Sequence, residues 1–169
     1  MSESALIVLA RAIHVMSGVI WSGGAFVLAI AVVPLFVRGG AEGAGGLGMV
    51  ARRAGALIGA SAPLAILSGM YLFATLHPHD ESASGIVLKT GAAAAVLAAV
   101  VGGLVSGTAG RRLLQLQQAS SQQAMNSPDT VRQLAALRMR AAVSARVAAA
   151  LLGVTVLAMA TFRYASALA

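Results

Sequence analysis

Apolar residues in this chain come in long unbroken runs, not in the alternation of a half-buried strand or the single stripe of a surface helix. Four runs occupy residues 5–37, 54–76, 85–109 and 141–162. A helix needs about 20 predominantly apolar residues to cross a bilayer, and each run is long enough. Hydrocarbon offers the backbone no hydrogen-bond partner, so only helices and closed barrels cross it. None of the four runs has the period of two expected of barrel strands. The pattern predicts an all-α integral membrane four-helix bundle, with residues 1–169 forming a single domain.

The polar stretches between the runs differ from one another. The first, 38–53, contains Gly39, Gly40, Gly43, Gly45, Gly46 and Gly48 and predicts a flexible connector, with neither the strand nor the Lys-Ser/Thr pair of a phosphate loop. The second, 77–84, is short and carries Asp80 and Glu81 but no Lys or Arg. In the third, Leu113, Leu114 and Leu116 prolong the helical pattern beyond the third run, Asn126-Ser127-Pro128-Asp129 reads as a turn, and Val131, Leu134, Leu137 and Met139 lead into the fourth run. Ser127 is placed to cap a helix whose first residue is Pro128. The expectation is a cytoplasmic helical extension between the third and fourth spans, either solvated or docking a partner. Pro34 is expected to end or bend the first span, and Pro63 to kink the second. Gly55 with Gly59, and Gly103 with Gly107, are four apart and read as close helix–helix contacts.

Composition sharpens the membrane reading. The 169 residues are 59% hydrophobic and 10% charged, with a mean hydropathy of +0.86, more apolar than the core of a soluble domain requires. The first run has no basic segment before it and exceeds a signal-peptide core, so it reads as a retained span. Without cysteine, disulfides, thiolate catalysis and Cys-ligated metals are excluded. The net charge of +7 lies in membrane-flanking segments, not on a compact basic face with aromatics, which argues against nucleic acid. Arg38, Arg52 and Arg53 flank the first connection, and Arg111, Arg112, Arg132, Arg138, Arg140 and Arg146 crowd the third. The positive-inside rule puts these two in the cytoplasm and both termini on the outer side of a bacterial inner membrane, as a multi-pass protein.

Ionisable groups inside a span are costly and by default mark functional sites. Here they are Arg11 and His14 in the first span, Lys89 one turn into the third and Arg163 at the end of the fourth, all on the outer side. Arg11, His14, Gly18, Trp21 and Ala25 follow at intervals of three, four, three and four, so they share one helix face. Gly18 and Ala25 leave room for a flat ring beside His14 and Trp21. No acid within a span neutralises Arg11, Lys89 or Arg163, which points to an anionic ligand: porphyrin propionates, a quinone or semiquinone anion, or lipid phosphate. Snorkelling to the headgroups is the competing reading for the three cations, and helix packing for His14. His77 and His79, beside Asp80 and Glu81, form a second candidate site, for copper, with Met16 and Met70 as soft donors along a path to His14.

The run from Ala12 through His14, Gly18 and Trp21 to Gly24, closing in Pro34-Leu35-Phe36, resembles the first helix of the CopD/HemJ-like superfamily, which holds copper-resistance D proteins and HemJ-type protoporphyrinogen oxidases. Arg52-Arg53, Ser61-Ala62-Pro63 and Ser68-Gly69-Met70-Tyr71-Leu72 look like its second helix, and Gly85-Ile86-Val87-Leu88-Lys89 like the start of its third. The resemblance implies haem binding and activity resting on His14 and Lys89. It leads to the expectation of a b-type haem protein, porphyrinogen-oxidising or electron-transferring, with His14 as axial ligand of the iron and Arg11, Lys89 and Arg163 toward the propionates. Gly18 and Trp21 would flank the ring, and electrons would pass to a quinone or a membrane electron-transfer subunit. Copper handling and a non-catalytic accessory role are the alternatives, and the small-residue pairs leave a homo-oligomer open.

Overall fold

The four runs fold as helices. A computed structural model describes residues 2–38, 44–108, 112, 127–165 and 167. Helix α1 (Glu3–Val27) opens on Ser2, whose hydroxyl accepts the Ala5 N–H at 3.4 Å, and Glu3 places negative charge in its first turn. It passes through a π-helical segment, Leu28–Val32, into α2 (Val33–Arg38). Pro34 explains the widened turn. Its ring crowds the preceding turn and it has no N–H to donate, so the chain takes a π turn there and continues without breaking.

Helix α3 (Ala44–Leu76) runs through Pro63. It already includes Gly45, Gly46 and Gly48, so the flexible connector expected over 38–53 is helical from Ala44 onward. Helix α4 (Ala83–Val100) is capped by Ser82, whose hydroxyl accepts the Gly85 N–H at 3.2 Å, and it ends in a second π segment, Val101–Ser106. Helix α5 (Pro128–Ala165) is 38 residues long, with Pro128 as its first residue. The Ser127 hydroxyl accepts the Thr130 N–H at 3.3 Å, which is the predicted cap. The helical overrun expected across 111–124 falls outside the described residues apart from Arg112, which is helical.

Among the described residues four helices, α1 and its continuation α2 counting as one, are long and apolar enough to cross a membrane: Glu3–Leu35, Arg53–Leu76, Ala83–Leu104 and Pro128–Ala165. They pair antiparallel. Helix α1 lies along α3, α4 along α5, and α1 also meets α5, whereas α3 and α4 scarcely touch although a short turn joins them. His14 against Gly69 fixes one end of the α1–α3 pair, and Gly24 against Ile58 the other. In the α4–α5 pair the corresponding contacts are Gly91 with Ala158 and Gly102 with Ala148.

The packing suits helices in lipid. Among the described residues the buried positions are dominated by Ala29, Ala65, Ala94, Ala98, Ala142, Ala148, Ala149 and Ala158, with only Trp21, Leu88 and Leu152 as large side chains. Large residues face outward instead, Ile30 being 71% exposed and Val8 67%. Hydrocarbon is as apolar as leucine, so burying large side chains between helices gains little there, and small residues win the interface because they let backbones approach. The glycines that do this are not the expected pairs. A Cβ at Gly55, Gly59, Gly103 or Gly107 would meet nothing within 4 Å, whereas one at Gly24 would lie 2.6 Å from Ile58 Cγ1 and one at Gly91 2.7 Å from Ala158 Cβ.

Candidate functional site

His14 stands half-buried between α1 and α3. Its Nδ1 lies 2.8 Å from the carbonyl oxygen of Ala65. A carbonyl only accepts, so Nδ1 carries the proton, and in the neutral ring the Nε2 lone pair is left over. Nε2 has no hydrogen-bond partner among the described residues. One turn beyond Ala65, Gly69 makes room for the ring: a Cβ there would sit 2.7 Å from His14 Cε1 and 3.0 Å from Nδ1. The sequence put His14 in view because it is the only histidine within a span. Ala65 and Gly69 were not legible as its partners, since a backbone carbonyl and a missing side chain leave no signature. This arrangement, one ring nitrogen tied to a backbone carbonyl and the other left with a lone pair, is how metal-bound histidines are oriented.

The rest of the stripe divides along its length. Trp21 is buried in a cluster with Ala65, Ala98 and Leu152, and Ala25 packs against it. Gly18, one turn from His14, faces space in which a Cβ would have no neighbour within 4 Å. Arg11, Lys89 and Arg163, on α1, α4 and α5, are exposed, as long cationic side chains at span ends tend to be. The structure does not fold these three into the interior beside His14. Met16 and Met70 point outward, 63% and 64% exposed, and so do not line an internal path.

The turn between α3 and α4 has its own order. His77 stacks on Phe73 at 6.4 Å between ring centroids and meets the edge of Phe162 at 5.9 Å, which ties the turn to α5. His79 takes a left-handed backbone, φ 62°, which the turn after Pro78 imposes. The Asp80 carboxyl is held below the usual carboxylate range, chiefly by the Ser82 hydroxyl and then by the Ser82 N–H at 3.0 Å, with Coulombic attraction from the side of His77 and Lys89 acting the same way. His77 and Lys89 therefore share an electrostatic neighbourhood with Asp80. Among the described residues no three or more His, Asp or Glu side chains form a group able to hold a metal ion. Compared with protein-family models, with curated proteins and with solved structures, the chain has no match.

Proposed function

We propose that this protein is a b-type haem-binding redox protein of the bacterial inner membrane, either porphyrinogen-oxidising or electron-transferring, with His14 as axial ligand. The observation that carries the reading is the Nδ1 hydrogen bond of His14 to the Ala65 carbonyl, 2.8 Å, which orients the imidazole and leaves Nε2 able to bind a metal. The fit is chemical as well as geometric. Imidazole is a common axial donor to haem iron, Gly18 borders open space one turn away, and Trp21 backs the same helix face from the core.

A bound haem would supply one-electron redox chemistry. The chain's own residues bind, orient and neutralise. Ala65 and Gly69 hold the His14 ring in one tautomer and one orientation. Arg11, Lys89 and Arg163 bring positive charge for propionates to the end of the bundle nearer His14, with Lys89 acting with His14 as the residue on which activity depends. Both chain ends and the His77–Ser82 turn lie on the outer side in this reading, and the basic connections lie in the cytoplasm. A quinone or a membrane electron-transfer subunit takes the electrons.

An absorption spectrum of the purified protein, before and after dithionite, tests this directly. The expected result is a Soret band with a reduced α band in the wild type, and their loss in His14→Ala while the protein still inserts. Wild-type protein that never carries haem in iron-replete cells, or a His14→Ala variant with an unchanged spectrum, would sink the assignment.

A further inference from the structure

A second feature lies at the opposite end of the bundle from His14. Between the π segment of α4 and the first half of α5 runs a groove of about 670 Å³, open along one side. It is a shallow, wide-open depression, suited to a chain lying along the helices more than to an enclosed small molecule. Val101 forms the α4 wall, and Ala136, Met139, Arg140, Val143 and Val147 form the α5 wall. The two helices touch through Gly102 and Ala148, and the groove opens beside that contact.

Its chemistry is graded along its axis. Ala136, Arg140, Val143 and Val147 recur every three or four residues, so they make one stripe on α5, which Arg132 extends by one turn. The cations lie at the end nearer the start of α5. From Arg140 to Val147 is seven residues, about 10 Å along the helix axis, and the lining residues of that stretch are apolar apart from Ser144, with Arg146 exposed beside Val147 and outside the lining. Met139 is 54% exposed, Val143 51% and Val147 43%, so among the described residues the tail end is apolar surface without a cover. A cation at one end and an uncovered apolar channel leading toward the middle of the span complement an amphiphile with an anionic head and a hydrocarbon tail. The π turn adds to this, because it widens α4 at the place where it forms the wall, and such turns concentrate at functional sites.

We propose that this groove binds one anionic phospholipid, its phosphate on Arg140 and an acyl chain along Val143, Val147 and Val101. The site is independent of haem and of which face of the membrane it occupies. A second copy of the chain would match the apolar wall but would leave Arg140 without a partner, and a zwitterionic lipid would return little for its charge.

Native mass spectrometry of the detergent-solubilised full chain, with phosphatidylglycerol or phosphatidylcholine of identical acyl chains, provides the test. One basic residue near an anionic surface is worth about fivefold in binding, so the wild type should retain phosphatidylglycerol about fivefold over phosphatidylcholine. Arg140→Gln should bring that ratio close to one and Arg140→Lys should restore most of it. Val143→Trp, filling the channel, should lower retention of both lipids. Arg53→Gln, on α3 at the same end of the bundle and outside the groove, should leave the ratio unchanged. Equal retention of both lipids by the wild type overturns the proposal. So does an Arg140→Gln variant that keeps its preference, an Arg53→Gln variant that loses as much of it, or a lipid-free dimer that Val143→Trp dissociates.

Discussion

At the scale of single residues, His14 depends on what is absent opposite it. A Cβ at position 69 would lie 2.7 Å from the imidazole, so Gly69→Ala forces the ring to turn or the helices to part. Overpacking of this kind costs about 1–3 kcal/mol. The expected outcome is a lower thermal midpoint in detergent and a shifted or weakened haem spectrum, whereas Gly18→Ala, with no neighbour within 4 Å, should leave stability intact. A Gly69→Ala protein as stable as wild type would mean that the close fit plays no part. The sequence made half of this site visible: a histidine within a span stands out, but the carbonyl that orients it is invisible until α3 is laid against α1. Asp80 yields a pH prediction. Its folded pKa is lowered, so its contribution is complete above the unfolded value, about 3.9, and is lost as pH falls from there through the folded value. Wild type should therefore lose stability relative to Asp80→Asn on acidification below about pH 4. A constant difference between the two down to low pH would remove Asp80 from the argument.

At the scale of elements, the decisive question is which face of each helix meets its neighbour. Hydropathy located the first three spans to within about five residues, but the fourth apolar run began at 141, and it was the Ser127 cap with Pro128 that located the start of α5, because both are local signals. Faces were harder to read, since lipid and core are both apolar and no polar/apolar boundary marks them. That is why Gly55, Gly59, Gly103 and Gly107 read as contacts, while Gly24, Gly69 and Gly91 make them. The π segments were illegible for a similar reason, because Leu28–Val32 and Val101–Ser106 have the composition of any span. Paired substitutions separate contact from open face. Gly91→Ala presses on Ala158 at 2.7 Å, beside the interhelical hydrogen bond from the Thr155 hydroxyl to the Gly91 carbonyl at 3.1 Å. It should destabilise by about 1–3 kcal/mol. Gly103→Ala meets nothing and should be neutral or stabilising by up to about 1 kcal/mol, the helix-propensity difference. Thermal unfolding in one detergent ranks them, and the reverse order would mean that α4 is rotated relative to α5.

At the scale of the whole molecule, charge decides orientation because the apolar exterior is alike at both ends. Nine of the twelve basic residues, Arg38, Arg52, Arg53, Arg111, Arg112, Arg132, Arg138, Arg140 and Arg146, cluster at or near the two longer connections. The other end has Arg11, Lys89 and Arg163 facing Glu3, Asp80 and Glu81. Orientation follows the excess of Lys and Arg close to the ends of spans in short loops, and acids weigh little. The antiparallel pairing makes this a single choice for the whole bundle: once α1 has its direction, His14–Gly69 with Gly24–Ile58 sets α3, the short turn after Leu76 sets α4, and Gly91–Ala158 with Gly102–Ala148 sets α5. A reporter active only in the cytoplasm should thus work when inserted at position 45 or 122 and fail when fused to either terminus. The opposite pattern would invert the molecule, moving His14 toward the cytoplasm and the Arg140 groove to the outer leaflet. Activity at all four sites would show instead that the chain inserts in both orientations, which a nine-to-three distribution of basic residues should prevent.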